Sequence, residues 1–323
     1  MANHSQLDLQ VSSKTIFVTG ASGFIGARLV AKLLQHGYQV RVMVRPEIGN
    51  DARIPKSCEQ VNVNITDVEK LSGVIADSSA VLYCAGSVRG RKPADFETAN
   101  VRGVKAMLSA LELCASAPPL MLLSSLAASR PHLSDYANSK FEGEQLLQAK
   151  SELPWTIIRP SAVYGPGDRE MLPLLKIIRR GLLLQTGPHA QRLSLLHVDD
   201  LVDAIFNWLP ASQQCLHQTY SIDDGTPGGY SWDAIGEAVS DDRYRVLKLP
   251  PFLLNLTARA NLLLSSLFGY MPMLTPGKVR ELSEPEWLCD NREFTQATGW
   301  RPVLDLRLGA QQLFGETGRS STH

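Results

Sequence analysis

Short apolar runs along the chain alternate with longer stretches in which apolar residues return every three or four positions. Thr15 to Thr19 is the first such run and ends at Gly20; Ile25, Leu29 and Leu33 then recur until Gly37. That is the pattern of a helix with one buried face, stopped by a glycine. Tyr38 to Val44 alternates as a strand does, and Val61 to Val63 reads as a third strand with a helix behind it near Val68 to Ile75. Ala80 to Ala85, Leu120 to Leu123 and Trp155 to Ile158 read as further strands, separated by helical stretches over about 94–114 and 134–149. Strands alternating with helices predict right-handed crossovers and a doubly wound parallel sheet covered on both faces, an α/β fold.

Beyond Pro160 the pattern loosens. Turn clusters at Gly165-Pro166-Gly167-Asp168 and Thr226-Pro227-Gly228-Gly229 interrupt helical stretches near Leu172–Arg180, Leu201–Trp208 and Ser231–Val239. These predict a smaller C-terminal α/β lobe that binds substrate over the carboxyl edge of the sheet. The expected division is 12–165, with segments returning from about 190–225, for the sheet domain and 166–323 for the lobe.

Phe252 to Tyr270, FLLNLTARANLLLSSLFGY, approaches membrane-spanning length. Arg259 at its middle would cost about 2.5–3.5 kcal/mol to insert, and Asn255, Asn261, Ser265 and Ser266 add to that. A spanning helix is therefore not expected. Leu253, Leu256, Ala260, Leu263 and Leu267 form one apolar stripe, with Asn255, Arg259 and Ser266 on the other side. Two readings follow: a helix capping the core with that stripe, or a helix gripping a lipid substrate or a membrane surface.

Composition narrows the classes. Of 323 residues, 44% are hydrophobic and 20% charged, enough to bury a sizeable core and too ordered in pattern for disorder. Thirty-two Lys and Arg balance 32 Asp and Glu, so no broad nucleic-acid footprint is expected. Five scattered cysteines without a CxxC spacing read as reduced thiols rather than a zinc site or disulfide framework. Met1 to Ser13 lacks the apolar core of a secretory leader, and a cytoplasmic location is expected.

Gly20-Ala21-Ser22-Gly23-Phe24-Ile25-Gly26 follows a strand and opens a helix. Glycines there permit a tight turn and let backbone N–H groups approach a pyrophosphate at the helix's positive end, the Rossmann arrangement. The second strand ends Met43-Val44-Arg45-Pro46, with no acid until Glu47. An acid would select the ribose 2′-hydroxyl of NAD, whereas Arg45 suits the 2′-phosphate of NADP, so NADP is expected with NAD still open. Tyr136 and Lys140 stand four apart, on one face of a helix, with Ser124 and Ser125 ending the strand before it. A phenol needs nearby positive charge to exchange protons near neutrality, and Lys140 would supply it.

Together these motifs resemble the extended short-chain dehydrogenases/reductases of the NAD-dependent epimerase/dehydratase family. The resemblance covers nearly the whole chain: TGASGFIG (19–26), YCAG (83–86), NVRG (100–103), SSLAAS (124–129), YANSK (136–140), RPSAVYGPGD (159–168) and LLHVDD (195–200). It implies Ser125, Tyr136 and Lys140 as the catalytic set. It implies Gly20, Ser22, Gly23, Phe24, Ile25, Gly26, Arg45, Asn64, Ala85, Gly86, Lys140, Pro160 and Val163 as cofactor contacts. Asn64 stands where the family has an adenine-contacting acid, and Asn100 is implied to be structural or near the site.

Three departures shift the expected reaction. Ala162 replaces the asparagine with which sugar-nucleotide epimerases of the family hold substrate. Leu126, Ala127 and Ala128 follow Ser125 where sugar dehydratases carry an acid pair, and the loop to Tyr136 is short. His197, Asp199 and Asp200 read as a strand end entering a helix, and no metal is expected. Without GxSxG there is no nucleophile elbow. Arg89, Arg91 and Lys92 read as a solvated loop or a pocket mouth. The expectation is an NADP-dependent reductase of a ketone on an apolar, long-chain substrate, with room for a homodimer and peripheral membrane contact through 252–270. A sugar-nucleotide epimerase and a non-catalytic dinucleotide sensor or assembly subunit are the alternatives.

Overall fold

A computed structural model describes residues 14–240 and 243–315. The N-terminal segment judged not to be a leader, Met1 to Ser13, lies outside them, as do Asp241, Asp242 and residues 316–323. Strands β1 (Thr15–Thr19), β2 (Gln39–Val44), β3 (Glu59–Asn62), β4 (Ala80–Tyr83), β5 (Leu120–Leu123), β6 (Trp155–Pro160) and β11 (Gln218–Ile222) form one sheet. Their spatial order is β11-β6-β5-β4-β1-β2-β3, and all neighbours run parallel. Val18 pairs with Val42 on one side and Leu82 on the other, so this central strand is buried on both faces and reads as a continuous apolar run.

The order reverses between β1 and β4, and the loops that follow those two strands flank the crevice where such sheets bind ligands. One face of the sheet is covered by α1 (Phe24–Gln35), whose Leu29, Val30 and Leu33 share a core with Trp208 and Ile205. The other face carries α2 (Val68–Ile75), and Leu71 and Ile75 meet Met107 and Leu111 of a later helix. The helix expected over 94–114 is broken into α3 (Ala94–Glu97), a π-helical turn (Thr98–Arg102) and α4 (Gly103–Glu112). Asn100 lies in that turn, and Gly143 of α5 (Asp135–Gln148) packs so closely that a Cβ there would stand 2.4 Å from the Asn100 carbonyl. The third strand is also displaced, to Glu59–Asn62.

The rest of the chain builds a second core. It is laid down by β7 (Ala162–Tyr164), α6 (Leu172–Arg179), β8 (Leu182–Gln185), β9 (Arg192–Leu193) and β10 (Leu195–His197). Tyr164, Leu175, Ile178, Leu195, Trp232 and Leu306 meet there. His197 ends β10 and caps α7 (Val198–Ala211) by accepting from the Asp199 N–H, as the HVDD pattern leads one to expect. Helix α8 (Trp232–Val239), β12 (Arg245–Lys248), α9 (Pro251–Phe268), α10 (Pro276–Ser283), β13 (Glu286–Trp287), α11 (Arg292–Thr298) and α12 (Leu306–Gly315) follow. Phe294 and Trp300 return to the first core beside Tyr220, so the chain crosses between the two cores more than once.

Candidate active site

Gly20 adopts φ +71°, and a Cβ there would lie 2.8 Å from the backbone of Cys84 and Ala85. The turn after β1 is thereby pressed against the loop after β4, and the Ala85 N–H donates to Thr19 Oγ1 at 3.0 Å. A Cβ on Gly26 would lie 2.2 Å from the Gly20 carbonyl oxygen, which lets only glycine open α1 so close to the turn. Helix α1 has no capping side chain and no acid in its first turn. Its N–H groups and positive end therefore suit a ligand anion, and the cradle fits a dinucleotide pyrophosphate. Gly167 of the Gly165–Asp168 turn lies 3.7 Å from Phe24 at its Cβ position, and Arg28 bonds Pro166 O at 3.0 Å, so that turn borders the same cradle.

Arg45 lies just beyond β2, 67% exposed, with Glu47 3.6 Å away. A second arginine reaches the glycine loop: Arg53 Nη2 donates to Ser22 Oγ at 3.3 Å and to Asp51 at 2.6 Å. The sequence reading did not single out Arg53, because eight residues of turn separate it from β2. Arg53 holds the Asp51 carboxyl at about 2, well below the usual range. Asn64 stands exposed after β3, its Oδ1 accepting from Thr66 N–H and Oγ1 at 3.1 and 2.9 Å. Pro160 and Val163 lie at the carboxyl end of β6 and in β7, beside the end of β5.

The serine–tyrosine–lysine group forms where β5 ends and α5 begins. Ser124 points inward and donates to buried Glu144, which also receives Arg159 Nε at 2.9 Å. Ser125 instead caps a 3-10 turn and faces the Tyr136 phenol, so the two neighbouring hydroxyls point to different sides. Ser134 caps α5 by accepting from the Ala137 N–H at 3.0 Å, which sets Tyr136 in the first turn and Lys140 one turn on. Lys140 is 7% exposed, donates to Leu123 O at 2.9 Å and lies under Gly86, where a Cβ would stand 3.1 Å from Nζ. Burial lowers its pKa to about 8 against the pull of Glu144 and Cys84. Asn100 holds the adjoining loop, exchanging hydrogen bonds with Ser87 N–H and C=O at 3.1 and 3.0 Å and donating to Ser139 Oγ at 2.9 Å.

One electrostatic expectation is corrected. Lys140 was to lower the Tyr136 pKa, yet burial raises that phenol above its ordinary value. Ser125 opposes the rise, as does the Lys278 cation of α10, while the Lys140 ammonium is turned to the Leu123 carbonyl. Glu281 and Glu170 act in the opposite sense. Lys278 and Glu281 come from α10, paired at 2.9 Å, and Glu281 also accepts from Ser134. The site thus contains a carboxylate, Glu281, that the residues beside Ser125 lack, supplied to Ser134 from 147 positions downstream. Arg89 and Arg91 also prove to be ties rather than free charges: Arg89 bonds Glu170 at 2.6 Å, and Arg91 bonds Ser265 O of α9 at 3.3 Å. Among the described residues no three His, Cys, Asp or Glu are grouped to hold a metal ion.

The family model for the NAD dependent epimerase/dehydratase family matches residues 16–222. The chain is 31% identical over 276 residues to ceramide reductase of Caulobacter vibrioides, covering 84% of this chain and 85% of that protein. It is 26% identical over 238 residues to UDP-glucose 4-epimerase of Vibrio cholerae, covering 66% and 71%. The solved UDP-glucose 4-epimerase of Thermotoga maritima superposes with a TM-score of 0.69 at 19% identity, covering 94% of this chain and all of that one, a likeness of fold. A dinucleotide cradle at the sheet's switch point, the Ser125–Tyr136–Lys140 group beside it and a matching sequence over most of the chain lead to one assignment: the protein belongs to the NAD-dependent epimerase/dehydratase family of extended short-chain dehydrogenases/reductases and is an NAD(P)-dependent oxidoreductase.

Proposed function

We propose that the protein reduces a ketone on an apolar, long-chain substrate, or oxidises the corresponding secondary alcohol, with NADP as cofactor. The bound dinucleotide supplies the hydride. Tyr136 donates its hydroxyl proton to the carbonyl oxygen, and Ser125 donates a second hydrogen bond to the same atom. Lys140, held against Leu123 under Gly86, presents positive charge and N–H donors to the ribose hydroxyls. The observation that carries this reading is that Ser125 and Tyr136 face one another at the sheet edge beside the glycine cradle. Arg45 and Arg53, with no carboxylate ending β2, support NADP. The apolar substrate is supported by the similarity to a protein named for ceramide reduction. In this reading residues 166–323 supply the substrate lobe.

The test is loss of NADPH absorbance on adding ketones of graded chain length. Turnover that rises with chain length is expected. Purified protein that carries NAD tightly bound, and interconverts UDP-sugars with no net cofactor consumption, would overturn the reading in favour of an epimerase. Tight NADPH binding without turnover of any ketone would favour a sensor.

A further inference from the structure

Helix α9 does not use its leucine stripe to reach the core. Leu254, Ala258 and Ser265 are its buried positions, while Leu256, Leu263 and Leu267 are 63%, 64% and 71% exposed. At 3.6 residues per turn these two sets lie on opposite sides of the cylinder. The expectation that the stripe caps the core is therefore overturned: the outward side is as apolar as the inward one. Phe252 and Phe268 are exposed with it, and Met271 and Met273 follow.

Along the sequence the charge of this segment has one sign, although Asp233 and Glu237 of α8 stand near Tyr244. From Arg243 to Arg280 the sequence holds six Lys and Arg and no Asp or Glu; Asp241 and Asp242, just before, lie outside the described residues. Lys278 pairs with Glu281, and Arg280 donates to Leu133 O. Arg243, Arg245, Lys248 and Arg259 are exposed, two of them flanking exposed Val246 and Leu247 on β12. The same helix is fixed to the rim of the active site. Arg91 ties Ser265 to the loop beyond Gly86. Leu254 and Ala258 pack on Val279 of α10, whose Gly277 would place a Cβ 2.9 Å from Ser134, two residues before Tyr136.

We propose that the outward face of α9, with the basic residues of β12, docks the protein on an anionic lipid bilayer beside the mouth of its active site. Apolar side chains enter the acyl boundary and cations meet lipid phosphates, as for a helix lying in the interface plane. Among the described residues no helix is long and apolar enough to cross the membrane, which fits lying on it. The docking surface stands on exposure and charge alone; its use in drawing a lipid substrate into the cleft rests on the reductase reading.

The experiment is co-sedimentation of the full chain with vesicles of equal phosphatidylcholine and phosphatidylglycerol, and with phosphatidylcholine alone, without substrate. Wild type should pellet with the anionic vesicles and more weakly with the neutral ones. The triple variant Leu256→Ser, Leu263→Ser, Leu267→Ser should lose about tenfold or more in partitioning to both, with its melting temperature unchanged because these side chains are exposed. Arg245→Glu with Lys248→Glu and Arg259→Glu should lose binding selectively on the anionic vesicles. Wild type that pellets with neither vesicle, or a triple leucine variant that binds as well as wild type, overturns the proposal. So does a wild-type dimer in solution that the leucine variant converts to monomer, since the face would then join two copies of the chain. Turnover is not measured, so failure here is distinct from failure of the reductase reading.

Discussion

Replacing Lys140 by methionine should abolish catalysis and, at neutral pH, stabilise the cofactor-free protein. Lys140 is almost wholly buried, with a pKa lowered from 10.5 to about 8. The folded state thus binds this proton more weakly than the unfolded state does, and below pH 8 the protein carries a buried charge at a cost of about 3 kcal/mol. Methionine keeps the volume and removes the charge, but loses the hydrogen bond to Leu123 O, worth about 1 kcal/mol. The variant should therefore be about 2 kcal/mol more stable at pH 7. As pH rises from about 8 toward 10.5 the folded wild type sheds the proton first, its stability climbs, and the advantage of the variant should vanish or reverse. Urea unfolding of both proteins at pH 7 and 9.5 measures the difference. A variant less stable than wild type at pH 7, or a difference that does not change with pH, would refute the argument that Lys140 is held charged against a burial penalty.

Tyr136→Phe should keep its melting temperature and NADPH affinity while turnover falls by about two orders of magnitude or more, since only the proton donor is removed. Arg45→Ala should weaken NADPH by about 1–3 kcal/mol in a binding titration and leave NADH unchanged; a loss that follows Arg53→Ala instead would put the 2′-phosphate next to Ser22. Gly26→Ala should lower the affinity for both dinucleotides, because its methyl would stand 2.2 Å from the Gly20 carbonyl oxygen. Glu144→Ala leaves Arg159 without its carboxylate and should cost about 3–5 kcal/mol in urea unfolding.

The features legible along the chain are those with local causes. The glycine turn, the alternation of strands and helices and the four-residue step from Tyr136 to Lys140 all follow from sterics and backbone period, which act over a few residues. The preference for Ser125 over Ser124 comes from the family resemblance rather than from any local pattern; in the structure Ser124 turns to buried Glu144 and Ser125 to Tyr136. Packing between distant segments decided the rest. Close contact of Gly143 with the Asn100 carbonyl accompanies the π turn that interrupts an otherwise continuous helical pattern. Arg53 meets Ser22, and Lys278 and Glu281 approach Tyr136, only because separate elements converge there. The sign of the Tyr136 shift depends on how deeply that convergence buries it. In α9 the periodicity shows where leucines line up, but a helix apolar on two sides carries no local mark of which side meets the protein. That is settled by what lies beneath it, Val279 of α10 and the loop held by Arg91.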